Sequence, residues 1–144
     1  MSFRAKSASE PAPLVLSQTD ADRLAHLARH GGAFSPGAQI LRAEIERAEV
    51  QPDHLAPDSV IGLYSSVELE DPETGARRIV SLVYPAEADL SAGRISVLTP
   101  VGAEMVGHTP GDFVSWPKLD GFGEKLMRIV AVTRSMGGRD FVGA

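Results

Sequence analysis

Two histidines four residues apart have the spacing of a metal site. His26 and His30 fall on one face of a predicted helix, where side chains at i and i+4 can bind the same ion, and Asp22 continues the row. No glutamate follows in an H-E-x-x-H pattern, and the sequence signals no distant ligand. We therefore interpret these residues as a solvated helix face and predict no metal there.

Carboxylates are concentrated at the end of one predicted strand and in the turn that follows it. They are Glu68, Glu70, Asp71 and Glu73. Such oxygens can hold a divalent cation, but an exposed, charged hairpin end explains them more simply. No serine lies in a G-x-S-x-G turn, and a chain without cysteine has no thiolate nucleophile. We therefore expect no catalytic residues, no metal and no cofactor.

The composition is that of a small globular protein. The chain has 144 residues, of which 43% are apolar and 23% charged, and its net charge is −5 without a long basic run. A nucleic acid is therefore an unfavourable direct partner, and another protein fits better. No apolar stretch approaches the roughly 20 residues that cross a bilayer, and residues 1–13 lack the apolar region of a signal peptide. These features predict a cytoplasmic protein.

Residues 15–50 have the pattern of a short helical hairpin. Ser17 can cap a first helix that ends at Gly31-Gly32, and Ser35-Pro36 can begin a second one. Both carry apolar residues at helical spacing, namely Ala21, Leu24, Ala25 and Ala28, then Ala38, Leu41, Ile45 and Ala48. The short connection allows only antiparallel packing. This predicts a coiled coil about 20 Å long.

The pattern becomes strand-like after residue 59. Pro52, Asp53 and Pro57 predict a linker over residues 51–59. Strands are expected at 66–70, 78–83, 94–98, 113–116 and 125–133, with a short helix at 100–106. The prediction is an α+β fold in which residues 60–134 form a twisted antiparallel sheet covered by one helix. Residues 1–14 and 135–144 are expected to be flexible tails.

The order and spacing of several short motifs resemble one known family. Residues 95–102, Ile-Ser-Val-Leu-Thr-Pro-Val-Gly, precede Met105-Val106-Gly107 and Gly111-Asp112, as in the C-terminal domain of the bacterial Gre factors. Within that group the chain is similar to the Rnk-like regulators of nucleoside diphosphate kinase, through residues 82–86, 100–103 and 41–48. The resemblance covers residues 19–134 and implies an FKBP-like fold for residues 60–134.

The resemblance also implies a partner. Gre C-terminal domains dock on the coiled-coil rim of the RNA polymerase secondary channel, through a loop that corresponds to Leu98, Thr99, Pro100 and Val101. Some relatives carry an acid at the position of Leu98, so the polar contact made there is not available to this chain. A proline at a helix start is rigid and suits a contact residue. The alternative that Thr99-Pro100 only caps the helix stays open.

The predicted hairpin tip differs from what the resemblance implies for transcript cleavage. Gre factors present acidic residues at the tip of a long coiled coil, where they help to hold a catalytic magnesium ion. The tip here includes His30, Phe34 and Ser35, and residues 30–36 contain no Asp or Glu. Acids at the base of the hairpin, roughly 15–20 Å away, cannot supply ligands at its tip. Transcript cleavage is therefore not expected.

Three functions are compatible with the sequence. The first is a regulator that binds the channel rim without stimulating cleavage and competes with Gre factors. The second is a peptidyl-prolyl isomerase, which is suggested only by the FKBP-like fold and needs an aromatic pocket. Residues that could line such a pocket are Tyr64, Tyr84, Phe113, Trp116 and Phe122. The third is a regulator that acts on a protein outside transcription, such as a metabolic kinase.

Overall fold

The computed structural model describes residues 14–30, 35–118 and 121–134. Within these ranges the fold is mixed α+β, as predicted. The elements are, in chain order, β1 (Leu14–Ser17), α1 (Gln18–His30), α2 (Pro36–Glu46), β2 (Ala48–Gln51), β3 (Ser65–Glu70), β4 (Arg77–Val83), β5 (Arg94–Ser96), α3 (Pro100–Met105), β6 (Phe113–Pro117) and β7 (Glu124–Arg134). Short 3-10 turns span Asp53–Leu55, Pro85–Glu87 and Leu90–Ala92. None of the helices in this part of the chain is long and apolar enough to cross a membrane.

The first two helices begin at their capping residues. The Ser17 hydroxyl accepts a hydrogen bond from the Asp20 amide at 3.1 Å. At the start of α2, the Ser35 hydroxyl accepts one from the Ala38 amide, also at 3.1 Å. Pro36 takes the first helical position, where a missing N–H costs no helical hydrogen bond. These contacts confirm both predicted helix starts.

The sequence pattern does not predict the small sheet formed by β1 and β2. These strands pair in parallel, with Leu14 opposite Ala48. Ala48 was expected on the second helix, but α2 ends at Glu46 and Ala48 begins β2. Leu14, the last residue of the predicted tail, is buried in β1, whereas residues 1–13 and 135–144 lie outside the described residues. Segments of only four residues carry too little periodicity to reveal such a pairing.

The larger sheet has the strand order β5-β4-β3-β7-β6. β3 and β4 form the predicted hairpin, and in its turn the Asp71 amide donates to the Ala76 carbonyl at 2.9 Å. β7 pairs antiparallel with both β3 and β6. β4 and β5 pair in parallel, so the prediction of a wholly antiparallel sheet is wrong at this edge. The reason is that residues 84–93 form a crossover that carries the chain back level with Ser81, so that β5 runs in the same direction as the last three residues of β4.

A continuous hydrophobic core joins the helices to the sheet. Leu24 of α1 and Leu41 of α2 are fully buried in the same cluster as Val67 of β3 and Met105 of α3. α2 packs on both α1 and α3. Helices this short gain most of their stability from tertiary packing, so the helical pair depends on the sheet beneath it. The coiled-coil form of the pair, the FKBP-like detail and the domain boundary at residues 51–59 stay predictions.

Candidate functional site

The loop between β5 and α3 is held by local hydrogen bonds. The Ser96 hydroxyl accepts one from the Leu98 amide at 3.0 Å. The Ser96 carbonyl accepts from the Thr99 amide at 3.1 Å and from the Thr99 hydroxyl at 2.8 Å. The Thr99 hydroxyl accepts in turn from the Gly102 amide at 3.1 Å, which caps α3 ahead of Pro100. The loop is therefore ordered before any partner binds.

The four residues predicted to contact a partner differ in exposure. Thr99 and Pro100 are exposed, whereas Leu98 and Val101 are half-buried and pack on the core cluster. The Leu98 side chain therefore contributes to the core, and the Thr99 hydroxyl serves the helix cap. Pro100 presents its apolar ring to solvent. The cap that the sequence allowed is present, and the role of these residues in partner binding stays a prediction.

The start of α2 lies directly on this loop. A Cβ atom at Gly37 would be 1.6 Å from the Leu98 carbonyl oxygen and 2.8 Å from the Thr99 carbonyl carbon. Because no side chain fits in that space, only glycine allows the two backbones to approach so closely. The fold therefore brings the first turn of α2, which Ser35 of the predicted hairpin tip caps, against the predicted contact loop at residues 98–101.

Of the other two residues predicted at the tip, only His30 lies within the described residues. His30 is the last residue of α1 and is exposed, with its ring centroid 4.7 Å from that of His26. Phe34 lies outside the described residues. Across the described ranges, no group of three or more His, Asp or Glu side chains is arranged to hold a metal ion. His26 and His30 thus form an exposed ring pair on the surface of α1.

The opposite end of α1 is anchored by a buried ion pair. Asp20 is buried, and its carboxylate accepts a hydrogen bond from the Arg134 guanidinium at the end of β7. Gly62 leaves room for this pair, because a Cβ there would be 2.0 Å from the Asp20 Oδ2 atom. Burial raises the pKa of Asp20 above its usual value, although the Arg134 charge opposes the shift. Asp20 is therefore committed to a structural contact.

The first turn of α1 also binds the segment that follows β2. The Thr19 amide donates to Asp53 Oδ1 at 3.0 Å, and the Thr19 hydroxyl donates to Oδ2 of the same carboxylate. These hydrogen bonds, the hydroxyl first, lower the pKa of the exposed Asp53 carboxyl. The segment predicted as a linker is thus fastened to the base of the helical pair.

Three carboxylates of β3 and its turn pair with cations on neighbouring strands. The pairs are Glu68–Arg77 at 3.1 Å, Glu70–Arg128 at 2.6 Å and Asp71–Lys125 at 2.8 Å. The hydrogen bond from Arg128 lowers the pKa of Glu70, and the one from Lys125 lowers that of Asp71. These acids therefore serve cross-strand contacts in the sheet.

The aromatic residues considered for an isomerase pocket are dispersed. Tyr64 and Tyr84 meet edge to face with ring centroids 6.1 Å apart, and Tyr64 lines a cleft of about 700 Å³ beside residues 84–93. The ring centroid of Trp116 lies 5.1 Å from the Arg78 guanidinium carbon, and Trp116 lines a separate cleft of about 320 Å³. Phe122 is 80% exposed. Among the described residues each cleft has one aromatic in its lining, which is unlike the aromatic pocket that an isomerase needs.

The sequence analysis did not predict the Gly37–Leu98 contact or the Asp20–Arg134 ion pair, for different reasons. Gly37 carried a signal, because a glycine inside a helix lowers its stability and is usually kept for a packing reason. The Asp20–Arg134 pair joins residues 114 positions apart, for which the sequence offers no local pattern. A packing role for Gly37 was therefore recognisable in the sequence, whereas the Asp20–Arg134 pair was not.

Comparisons with known proteins identify the family. The family described as "Transcription elongation factor, GreA/GreB, C-term" matches residues 56–134, and "Rnk N-terminus" matches residues 13–50. The regulator of nucleoside diphosphate kinase of Escherichia coli (strain K12) is 33% identical over 104 residues. That match covers 72% of this chain and 76% of the relative.

Two further relatives agree with this assignment. The transcription inhibitor protein Gfh1 of Thermus aquaticus is 47% identical over 77 residues, which are 51% of this chain and 46%, less than half, of that relative. The solved structure of a prokaryotic transcription elongation factor GreA/GreB from Nitrosomonas europaea has a TM-score of 0.75 at 36% identity, covering 85% of this chain and 98% of that one. The chain therefore belongs to the GreA/GreB C-terminal family and carries the Rnk N-terminal region ahead of the shared domain.

Proposed function

We propose that the protein is a cytoplasmic regulator that binds RNA polymerase at the rim of the secondary channel and does not stimulate transcript cleavage. The observation that carries this proposal is the exposed, pre-ordered Thr99–Pro100 loop within the family-matched domain. Relatives include proteins named as a transcription inhibitor and a transcription elongation factor. A protein bound at this rim competes with Gre factors for the same place.

The construction of the loop suits a docking contact. Hydrogen bonds between Ser96 and Thr99 order the backbone, so little conformational entropy is lost on binding. The Pro100 ring adds apolar contact area without rotamers to immobilise. The half-buried Leu98 cannot supply the acidic contact that the resemblance attributes to some relatives, so the affinity depends on shape and apolar burial.

The acids of the helical pair support a function without cleavage. Asp20 is ion-paired with Arg134, and Asp22 accepts a hydrogen bond from Gln18 at 2.8 Å. α1 rises about 15 Å between Asp20 and its last residue, and residues 30–36 contain no acid. A magnesium ion needs oxygen ligands at its own position. These features support a protein that acts by occupancy and is not an enzyme.

Binding of the purified protein to core RNA polymerase tests the proposal. Pro100→Asp places a charge on the exposed contact, and we expect it to weaken binding at least about tenfold, which corresponds to about 1.4 kcal/mol. Pro72→Asp is the matched control, because Pro72 is an exposed proline in the β3–β4 turn. The β3–β4 turn precedes the start of β4, whereas Ser96, beside the contact loop, pairs with Val83 at the end of β4. The length of β4 therefore separates the control site from the loop.

The outcomes separate the competing functions. Failure of the wild-type protein to bind polymerase would rule the proposal out. Equal losses of affinity in Pro100→Asp and Pro72→Asp would mean that the added charge, and not the position of the loop, weakens binding. A pull-down from a bacterial lysate then distinguishes the partners. Recovery of polymerase subunits supports the proposal, whereas recovery of a nucleoside diphosphate kinase without polymerase favours the function outside transcription.

A further inference from the structure

The residues of the 98–101 loop are too few to form a stable interface by themselves. A specific protein–protein interface buries about 800 Å² on each partner and involves about 20–30 residues per side. Of these four residues, Thr99 and Pro100 are exposed and the other two are half-buried. A partner that docks on the loop must therefore also cover surface beside it.

The surface beside the loop is the start of α2. The Gly37 backbone touches Leu98 so closely that a Cβ atom would be 1.6 Å from its carbonyl oxygen. Pro36 and Gln39 on the same turn are exposed. Ala38 lies between them and is fully buried, so the turn has one face on the core and one face in solvent.

The two helix starts on this surface are built alike. In each, a hydroxyl caps the helix by accepting a hydrogen bond from an amide three residues further on. The Ala38 amide donates to the Ser35 hydroxyl and the Gly102 amide donates to the Thr99 hydroxyl, both at 3.1 Å. Each cap is followed by an exposed proline, Pro36 in α2 and Pro100 in α3. Two rigid apolar rings therefore stand on adjacent elements.

The helices that carry these two starts share one part of the core. Leu41 of α2 and Ala103 of α3 are fully buried in the same cluster, and the helices pack on each other. Close packing of this kind resists sliding of one helix past the other. A partner thus meets both starts in a fixed relative position and loses no entropy in aligning them.

We propose that the first turn of α2, through Pro36 and Gln39, is the second half of the polymerase-docking surface and is held beside Thr99–Pro100 by the Gly37 contact. This inference rests on the proposed function. It assigns the helical pair a role in docking along its side, in place of a role as a probe that reaches into the partner.

Polymerase binding by the full-length protein with a charge on either helix start tests this inference. Pro36→Glu is expected to weaken binding at least about fivefold, because a carboxylate in the buried contact must lose its hydration. A glutamate in the first turn of a helix favours folding, so the thermal midpoint should stay within a few degrees of wild type. Ala43→Glu is the matched control, since it places the same charge on an exposed position of α2 about 10 Å further along the helix.

Hydroxyl-radical labelling of the wild-type protein gives a second readout that requires no variant. Labelling of Pro36 and of Pro100 should both fall when polymerase is added. If wild-type protein binds, Pro100→Asp weakens binding and Pro36 is neither protected nor sensitive to substitution, this inference is overturned while the proposed function stands. If wild-type protein does not bind polymerase, both are overturned.

Discussion

The two ends of the helical pair are attached to the rest of the protein in different ways. The base is held by directional polar contacts, with Asp20 bound to Arg134 and Thr19 bound to Asp53. The other end is held by close backbone packing of Gly37 on Leu98. The first attachment depends on charge and the second on a missing side chain, so the two can be broken separately.

Loss of the buried ion pair should have the largest effect on stability. Arg134→Met leaves the Asp20 carboxylate buried without its partner, and we expect a loss of about 3–5 kcal/mol in the free energy of unfolding. The matched control is Arg128→Met on the same strand, where the Glu70 pair is more exposed and about 0–1 kcal/mol is expected. Denaturant unfolding measures both. Equal losses would mean that Asp20 becomes solvated once unpaired.

A side chain at Gly37 should have the next largest effect. Alanine in place of an unhindered helical glycine stabilises a protein by about 0.5–1 kcal/mol. Gly37→Ala should instead destabilise it by about 1–3 kcal/mol, because the new methyl group overlaps the Leu98 carbonyl. Gln39→Ala, on the exposed side of the same turn, should change little. A gain in stability for Gly37→Ala would contradict the contact.

The two caps beside this contact should have smaller effects. Ser35→Ala and Thr99→Ala each remove a cap that is worth about 1 kcal/mol. We expect the larger loss for Thr99→Ala, because its hydroxyl also donates to the Ser96 carbonyl. Thermal unfolding of both variants measures the difference. The opposite order would show that the hydrogen bond to Ser96 adds no stability.

Acid should act in opposite directions on the two carboxylates of the base. Burial raises the pKa of Asp20, so its contribution to stability is greatest below the unfolded pKa and is lost as pH rises through the folded one. Hydrogen bonds from Thr19 lower the pKa of Asp53, so its contribution is present above the unfolded pKa and is lost as pH falls. Carboxyl carbon NMR titration should place their midpoints on opposite sides of 3.8, the ordinary value. Midpoints on the same side would contradict this assignment.

Local chemistry was predictable from the sequence. The turn after β3 followed from Asp-Pro-Glu-Thr-Gly, and Gly75 adopts the left-handed φ of 79° that such a turn requires. The Ser-Pro and Thr-Pro pairs located the starts of α2 and α3 within the described chain. In each case the deciding interaction joins residues only a few positions apart.

Long-range pairings were not predictable in the same way. The residues of β5, Arg-Ile-Ser, alternate between polar and apolar types as in any strand, and nothing in them indicates that they run parallel to β4. The four residues of β1 pair with a segment 34 positions later, where a helix was expected to continue. The resemblance predicted the contact loop. The contact between Gly37 and Leu98 depends on how α2 packs beside this loop, which the sequence does not indicate.

Transcript cleavage in stalled elongation complexes tests the central claim most directly. We expect the protein alone to leave the transcript length unchanged and, with increasing concentration, to suppress the cleavage that a Gre factor stimulates. The Pro100→Asp variant should lose that suppression. Shortening of the transcript by the protein alone, or unchanged Gre-stimulated cleavage at saturating protein, would contradict a regulator that acts by occupying the channel rim.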